Sequence, residues 1–175
     1  MLAASRSRSI AIRAPSRILP NSSLLTSYAI LPFVRIERPT EFSLTVDRSK
    51  FYALLTPLTA PDDMEALLKI RRRDYRKAVH HCWASRIRDA AAGAVVERSK
   101  DDGEVGHPGR VLLELLKKHD VEGAIVVSRI FGGVKLGVGG VSRAFRDAGQ
   151  GAINRLLAEA APARTSSPRP RETKT

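Results

Sequence analysis

Between residues 37 and 160 the spacing of apolar positions alternates between that of strands and that of helices. Period-two alternation or short apolar runs predict strands, and apolar residues three and four apart predict helices. The largely apolar run Gly123–Ile130 predicts a central strand buried on both faces. The other predicted strands are Thr40–Asp47, Phe51–Leu58, Ala78–Ile87 and Gly93–Ser99, and the predicted helices are Thr59–Arg73, Arg110–His119 and Gly140–Ala160.

This order of strands and helices predicts the fold class. Strands and helices do not alternate regularly, as they would in a doubly wound parallel sheet, because two strands precede the first helix and two more form a hairpin. We therefore expect an α+β two-layer sandwich, with a mixed β-sheet and helices on one face.

The charge is concentrated in the tails. The formal net charge is +12, which by itself favours a nucleic-acid partner. Residues 1–36 contain five arginines and no acidic residue, and residues 161–175 contain four basic residues and one acidic residue. The remaining 21 basic and 17 acidic residues make the predicted domain, residues 37–160, only mildly basic.

The two ends have the composition of segments outside the folded domain. An acid-free leader rich in Arg and Ser, residues 1–36, is typical of a mitochondrial transit peptide; the alternative is an arbitrary tail without a role. Residues 161–175 are rich in Pro, Ser, Thr and Arg, which predicts a disordered basic tail. The expected location is mitochondrial if the leader acts in targeting and cytoplasmic otherwise.

The cysteine content and the hydropathy of the chain restrict the classes of protein to which it can belong. Cys82 is the single cysteine, so an intrachain disulfide is excluded. The longest apolar stretch near the leader, Leu24–Val34, is shorter than the roughly 20 residues that cross a bilayer and contains Pro32. We expect no membrane partner.

An acidic turn, Lys100–Glu104, precedes a predicted helix. Three carboxylates within four residues need a cation, backbone donors or a basic partner. A divalent cation is one interpretation, since hard cations prefer several oxygens. The simpler interpretation is a tight turn at Gly103 that caps the helix beginning near Arg110.

A glycine-rich loop, Phe131–Gly140, connects the central strand to the last helix. Free amides at a helix start favour anions, and Lys135 adds a positive charge. The loop is neither a Walker A motif nor a dinucleotide fingerprint, because Val138 and Ser142 stand where those motifs require lysine and glycine. The alternative is a purely geometric need for glycine.

Two further clusters have simple interpretations. His80–Trp83 alternates between the faces of a strand, so it presents two ligands at most to any metal ion, and buried sheet residues are the default. A basic cluster at Arg71–Lys77 suits a helix C-terminus, and an RNA footprint would require it to share a surface with Arg143 and Arg146. We expect no metal, no cofactor and no DNA partner.

Together these residues resemble the IMPACT/YigZ family. The resemblance is carried by HHCWASRI, ERSKDDGE, a Gly-Arg pair and VVSRIFGGVKLGVGGVSRAF, and it extends from about Ser49 to about Leu157. It implies a fold like the second domain of small-subunit ribosomal protein five. It also implies a link to translation, because the eukaryotic branch restrains a starvation-responsive initiation-factor kinase by competing for a ribosome-associated activator. No agreed catalytic reaction comes with the family.

Two departures limit what the resemblance implies. The eukaryotic regulators carry an additional N-terminal domain, where this chain has the Arg/Ser-rich leader. Bacterial relatives carry a small ferredoxin-like C-terminal domain, where this chain has its basic tail. Val105–Gly109 is nearer the eukaryotic pattern, whereas the loop GGVKLGVGG is nearer the bacterial one.

We therefore expect a non-enzymatic, translation-associated module that binds a ribosome, RNA or a ribosome-associated regulatory protein. The alternative is a small enzyme or binding protein for a phosphorylated ligand, with Mg²⁺ on the acidic turn. No catalytic residue is assigned. The predicted binding residues are Asp101, Asp102, Gly103, Glu104, Gly109, Arg110, Arg129, Gly132, Gly133, Lys135, Gly137 and Arg143.

Overall fold

A twisted sheet of six strands organises the part of the chain that the computed structural model describes, residues 33–60, 62–89 and 93–160. The predicted basic tail and residues 1–32 of the predicted leader lie outside this range, so transit-peptide targeting stays a prediction. The elements are β1 (Val34–Arg35), β2 (Thr40–Val46), β3 (Ser49–Thr56), α1 (Asp63–Asp74), β4 (His80–Asp89), β5 (Ala94–Lys100), α2 (Pro108–Lys118), β6 (Val121–Ile130) and α3 (Gly137–Ala160).

The central strand is β6, as predicted from its apolar run. The strand order is β2-β3-β6-β4-β5, with antiparallel neighbours throughout, and β1 pairs in parallel with the start of β6. Within β6, Ile125 pairs with Leu55 on one side and Ala84 on the other, and all three side chains are buried. The α+β class with a mixed sheet is confirmed.

The helices cover both faces of the sheet, which differs from the predicted placement on one face. Ile125 and Val127 belong to the main core with α2 and α3, whereas Val126 packs with Met64 and Leu68 of α1. The physical reason is that Ala124–Val127 are apolar at every position, so both faces of β6 need a cover. The helical pattern of α1 showed that it has an apolar face but not which side of the sheet that face contacts.

The last helix begins earlier than predicted. It starts at Gly137 rather than Gly140, so its first turn contains three glycines. Because glycine has a low helix propensity, the sequence favoured a later start. The helix α2 likewise begins at Pro108, where the missing N–H of proline is tolerated.

Strand register brings several loops to one end of the sheet. Phe51 and His80 both pair with Arg129 near the end of β6, and Lys50 pairs with Ile130. The β2–β3 turn, the start of β4, the loop between β5 and α2, and the start of α3 therefore lie near one another. None of the helices in the described ranges is long and apolar enough to cross a membrane.

Candidate functional site

The acidic turn is hydrogen-bonded along the start of β4. The Asp102 carboxylate accepts a hydrogen bond from the backbone N–H of His81 at 2.8 Å, and the Asp101 carbonyl accepts one from the Cys82 thiol at 3.0 Å. The Asp102 carbonyl lies 2.9 Å from Nδ1 of His80. Asp102 and Gly103 have φ values of 50° and 79°, which makes the tight turn that the sequence predicted.

Asp101 caps the helix α2, as the simpler interpretation of the turn required. Its Oδ1 accepts a hydrogen bond from the N–H of Gly109 at 2.7 Å, which satisfies one of the amides left free at the helix start. A Cβ at Gly109 would lie 2.7 Å from the carbonyl carbon of Lys100. Gly109 is therefore a packing requirement of the turn.

Glu104 forms a buried ion pair with Arg129 of β6. The two side chains are only 5 % and 7 % exposed, and Nη1 of Arg129 donates to the carboxylate. Nε2 of His80 lies 3.8 Å from the same carboxylate oxygen. The guanidinium of Arg129 also lies 5.7 Å from the ring centroids of Phe51 and Phe131.

These contacts separate the three carboxylates. Asp101 binds an amide of α2, Asp102 binds an amide of β4, and Glu104 binds a guanidinium. A Mg²⁺ site needs several oxygens converging on one point. Within residues 33–60, 62–89 and 93–160 no group of three or more His, Cys, Asp or Glu side chains is arranged to hold a metal ion.

The glycine loop after β6 contains glycines with different roles. A Cβ at Gly132 would lie 2.0 Å from the carbonyl carbon of Arg48, so glycine at this position lets the loop pack directly against the β2–β3 turn. Gly133 and Gly137 have φ values of 85° and 68°, a left-handed backbone that glycine adopts without strain. A Cβ at Gly139 would stand in open space, and the φ of this residue is not in the left-handed region.

The loop between β5 and α2 contacts the start of α3. The Ser142 hydroxyl of α3 donates to the carbonyl of Gly106 at 2.6 Å. The approach is so close that a Cβ at Gly106 would lie 2.3 Å from the Ser142 oxygen and 2.8 Å from the carbonyl oxygen of Val138. The loop that follows the acidic turn therefore packs directly against the first turns of α3.

At this junction lies a groove of about 400 Å³, which we call the apolar groove. Four of its side chains are large, apolar and well exposed: Val79 at 55 %, Val105 at 50 %, Phe131 at 44 % and Val138 at 60 %. The complete lining is Val79, His80, Val105, Arg129, Phe131, Lys135, Leu136, Gly137, Val138 and Val141.

The predicted binding residues divide into four groups. Arg129, Lys135 and Gly137 line the apolar groove, whereas Arg110 lines a separate groove between α2 and α3 together with Arg146. Arg143 is exposed on α3 but lines neither groove. The supporting residues, which shape the turn and the loop, are Asp101, Asp102, Gly103, Glu104, Gly109, Gly132 and Gly133.

The apolar lining was not predicted from the sequence. Val79, Val105 and Val138 were assigned no binding role, and Phe131 was considered only as the first residue of a glycine loop. A signal was present, since Val105 and Phe131 are large apolar residues in connecting loops, outside any inward-facing stripe.

Cys82 is structurally unsuited to nucleophilic chemistry. It is fully buried, and burial raises the pKa of its thiol well above the usual range, with the charge of Glu104 raising it further. We expect Ellman's reagent at pH 8 to react at least about 100-fold more slowly with the native chain than with the urea-unfolded chain. Equal rates in the two states would contradict the buried, protonated thiol.

Comparisons with known proteins find relatives of this chain. A protein called IMPACT family member YvyE, from Bacillus subtilis (strain 168), is 29 % identical over 115 residues, 65 % of this chain and 52 % of that protein. Protein IMPACT of Oryctolagus cuniculus is 34 % identical over 98 residues, 54 % of this chain and 30 % of that protein. The chain thus spans about half the length of the bacterial relative and a smaller share of the rabbit one.

The fold also has a counterpart among solved structures. A crystal structure titled as that of an hypothetical protein matches with a TM-score of 0.62 and 26 % identity, covering 68 % of this chain and 58 % of that one. The family model of the Impact N-terminal domain matches residues 47–153, from the β2–β3 turn to well inside α3. This match includes the acidic turn, the glycine loop and the whole groove lining, and the chain therefore belongs to the IMPACT family through its Impact N-terminal domain.

Proposed function

We propose that this protein is a non-enzymatic module of translational regulation that binds a ribosome-associated protein through the apolar groove. Family membership supports the link to translation, because the resemblance to the IMPACT/YigZ family implies it. The choice of a protein partner rests on one observation, the exposed apolar side chains that surround the groove.

A protein partner explains this surface better than RNA does. Exposed apolar side chains clustered around one groove mark interaction sites, because their burial against a partner is favourable. An RNA site would instead present a basic track or stacked aromatic rings. In the groove lining the basic side chains are Arg129, Lys135 and His80, and besides the His80 imidazole Phe131 is its single aromatic ring.

The chemistry of the groove lining supports a binding role. Among the described residues, the groove lining contains no cysteine and no carboxylate, and Cys82 is buried. His81 is also buried, and its Nδ1 lies 2.9 Å from the hydroxyl of Ser128, which is itself inaccessible. A nucleophile paired with a base needs access to its substrate.

The test is co-sedimentation of the full chain with ribosomes from its own organism. We expect the double variant Phe131→Ser and Val138→Ser to bind at least about 10-fold more weakly, because losing buried apolar contacts at an interface centre costs about 2 kcal/mol or more. The matched control is Val95→Ser, since Val95 is a similarly exposed apolar residue on β5, outside the groove.

The same assay separates the possible partners. Equal binding by wild type and by the groove variant would refute docking through this surface. Binding of protein-free ribosomal RNA as tightly as of intact ribosomes would assign the contact to RNA and overturn the choice of a protein partner.

A further inference from the structure

We infer that the apolar groove recognises a partner segment in which a carboxylate stands beside an apolar side chain. The inference rests on the proposed protein-docking function and specifies the chemistry of the segment that docks. Three features support it: the sign of the charge in the groove, the start of α3 in the groove lining, and a glycine that the fold itself does not require.

The charged side chains that line the groove are basic. Arg129 is 94 % buried in its wall, and its Nε has no hydrogen-bond partner among the described residues. Glu104 pairs with Nη1 of this guanidinium and offsets its charge, so Nε is the donor that stays without a partner. Lys135 is exposed in the same lining, which contains no aspartate or glutamate. A carboxylate complements this charge, and the surrounding valines and Phe131 complement an apolar side chain.

The start of α3 adds backbone donors on the same side. Gly137 and Val138 line the groove and belong to the first turn of a helix of 24 residues. The first N–H groups of a helix have no partner within it, and the helix dipole favours negative charge there. The amides of this turn and Lys135 together make a favourable position for one carboxylate.

Gly139 indicates that something approaches this turn closely. Gly106, Gly109 and Gly132 are fixed by neighbours within the fold, since a Cβ at any of them would clash. At Gly139 a Cβ would meet nothing within 4 Å, and the backbone is not left-handed. Glycine destabilises a helix relative to alanine, so packing and conformation give no reason for it here. Direct approach of a partner to the backbone amides of this turn gives a reason for glycine at this position.

The tails of the chain itself have the wrong charge for this role. Residues 1–36 contain five arginines and no acidic residue, and residues 161–175 contain four basic residues and only Glu172. Either segment would place positive charge beside Arg129 and Lys135. We therefore assign the groove to a separate acidic and apolar segment.

The experiment selects random 12-residue peptides, displayed on phage, against the immobilised full chain. We expect the selected peptides to combine Asp, Glu or a terminal carboxylate with a large apolar residue within four positions. The affinity of the best peptide is then measured by fluorescence anisotropy with wild type and three variants.

Each variant has a distinct expected result. Lys135→Glu should weaken peptide binding at least about 10-fold by reversing the charge. Gly139→Ala should also weaken it, yet raise the Tm by about 2 to 4 °C, because alanine favours the helix. The control Val95→Ser should leave the affinity unchanged. Loss of binding together with gained stability is an outcome that a merely structural role for Gly139 would not produce.

Several results would overturn the inference. These are selection of basic or purely apolar peptides, no selection at all, or equal binding by Lys135→Glu. A concentration-dependent dimer blocked by Phe131→Ser would assign the groove to a second copy of the chain. If ribosome binding depends on the groove but no acidic peptide is selected, the proposed function is supported and the inferred chemistry of the segment is refuted. If acidic peptides are selected but ribosomes do not bind, the inferred chemistry is supported and the proposed function is refuted.

Discussion

Replacing Arg129 by leucine is expected to lower the free energy of unfolding by about 3–5 kcal/mol. The guanidinium is the ionic partner of Glu104, and both side chains are more than nine-tenths buried. Removing it leaves a carboxylate with little access to water and without its guanidinium partner, which is far less favourable than the intact pair. Urea unfolding followed by circular dichroism measures the loss.

Two control variants separate the ion pair from general packing. The double variant Arg129→Leu and Glu104→Leu should be clearly more stable than Arg129→Leu alone, since apolar residues can replace a buried ion pair at little cost. Arg38→Ala removes the pair between Arg38 and Glu159, whose side chains are 73 % and 35 % exposed, and should change stability by about 1 kcal/mol or less. If both arginine variants lost the same small amount, the pair would not hold the acidic turn in place.

This ion pair illustrates what the sequence could and could not predict. Arg129 stands in a strand whose other positions are almost entirely buried, and a charge in such a strand requires a partner. The sequence offered three nearby carboxylates in the acidic turn, but it did not distinguish Glu104 from Asp101 and Asp102. The local path of the turn decides between them, because Asp101 binds the amide of Gly109 and Asp102 binds the amide of His81, which leaves Glu104 for the guanidinium.

The fold class and most elements could be predicted because their signals are local. The apolar run of β6 and the helical spacing of Leu112, Leu115 and Leu116 each determine an element within about ten residues. The face occupied by α1 could not be predicted this way. The apolar face of an amphipathic helix shows that the helix packs against another element. Because β6 is apolar on both faces of the sheet, the pattern does not say which face receives the helix.

The apolar groove could not be predicted because its lining is not local. Val79, Val105 and Phe131 come from three separate loops, and Val138 comes from the first turn of α3. In sequence each is a single apolar residue, which needs no explanation on a protein surface. Only their meeting at one end of the sheet makes them a site.

Gly132→Ala is expected to have the second large effect, a loss of about 3 kcal/mol of stability. A Cβ at this position would lie 2.0 Å from the carbonyl carbon of Arg48 and 2.3 Å from the Ser49 nitrogen. These are backbone atoms of the β2–β3 turn, so they cannot move aside as a flexible side chain can. The change would also disturb the hydrogen bond from the Gly132 amide to the Ser49 hydroxyl, 3.1 Å in length.

The neighbouring glycines provide matched controls for this steric effect. Gly133→Ala places a side chain on a residue with φ of 85° but in open space, so it should lose only about 1–2 kcal/mol through backbone strain. Gly139→Ala has neither cost and should not destabilise the protein. Urea unfolding of the three variants should therefore give losses in the order Gly132, Gly133, Gly139. A Gly132→Ala variant as stable as wild type would mean that the loop beside the groove does not rest on the β2–β3 turn, and the wall formed by Phe131 and Lys135 would then lack its support.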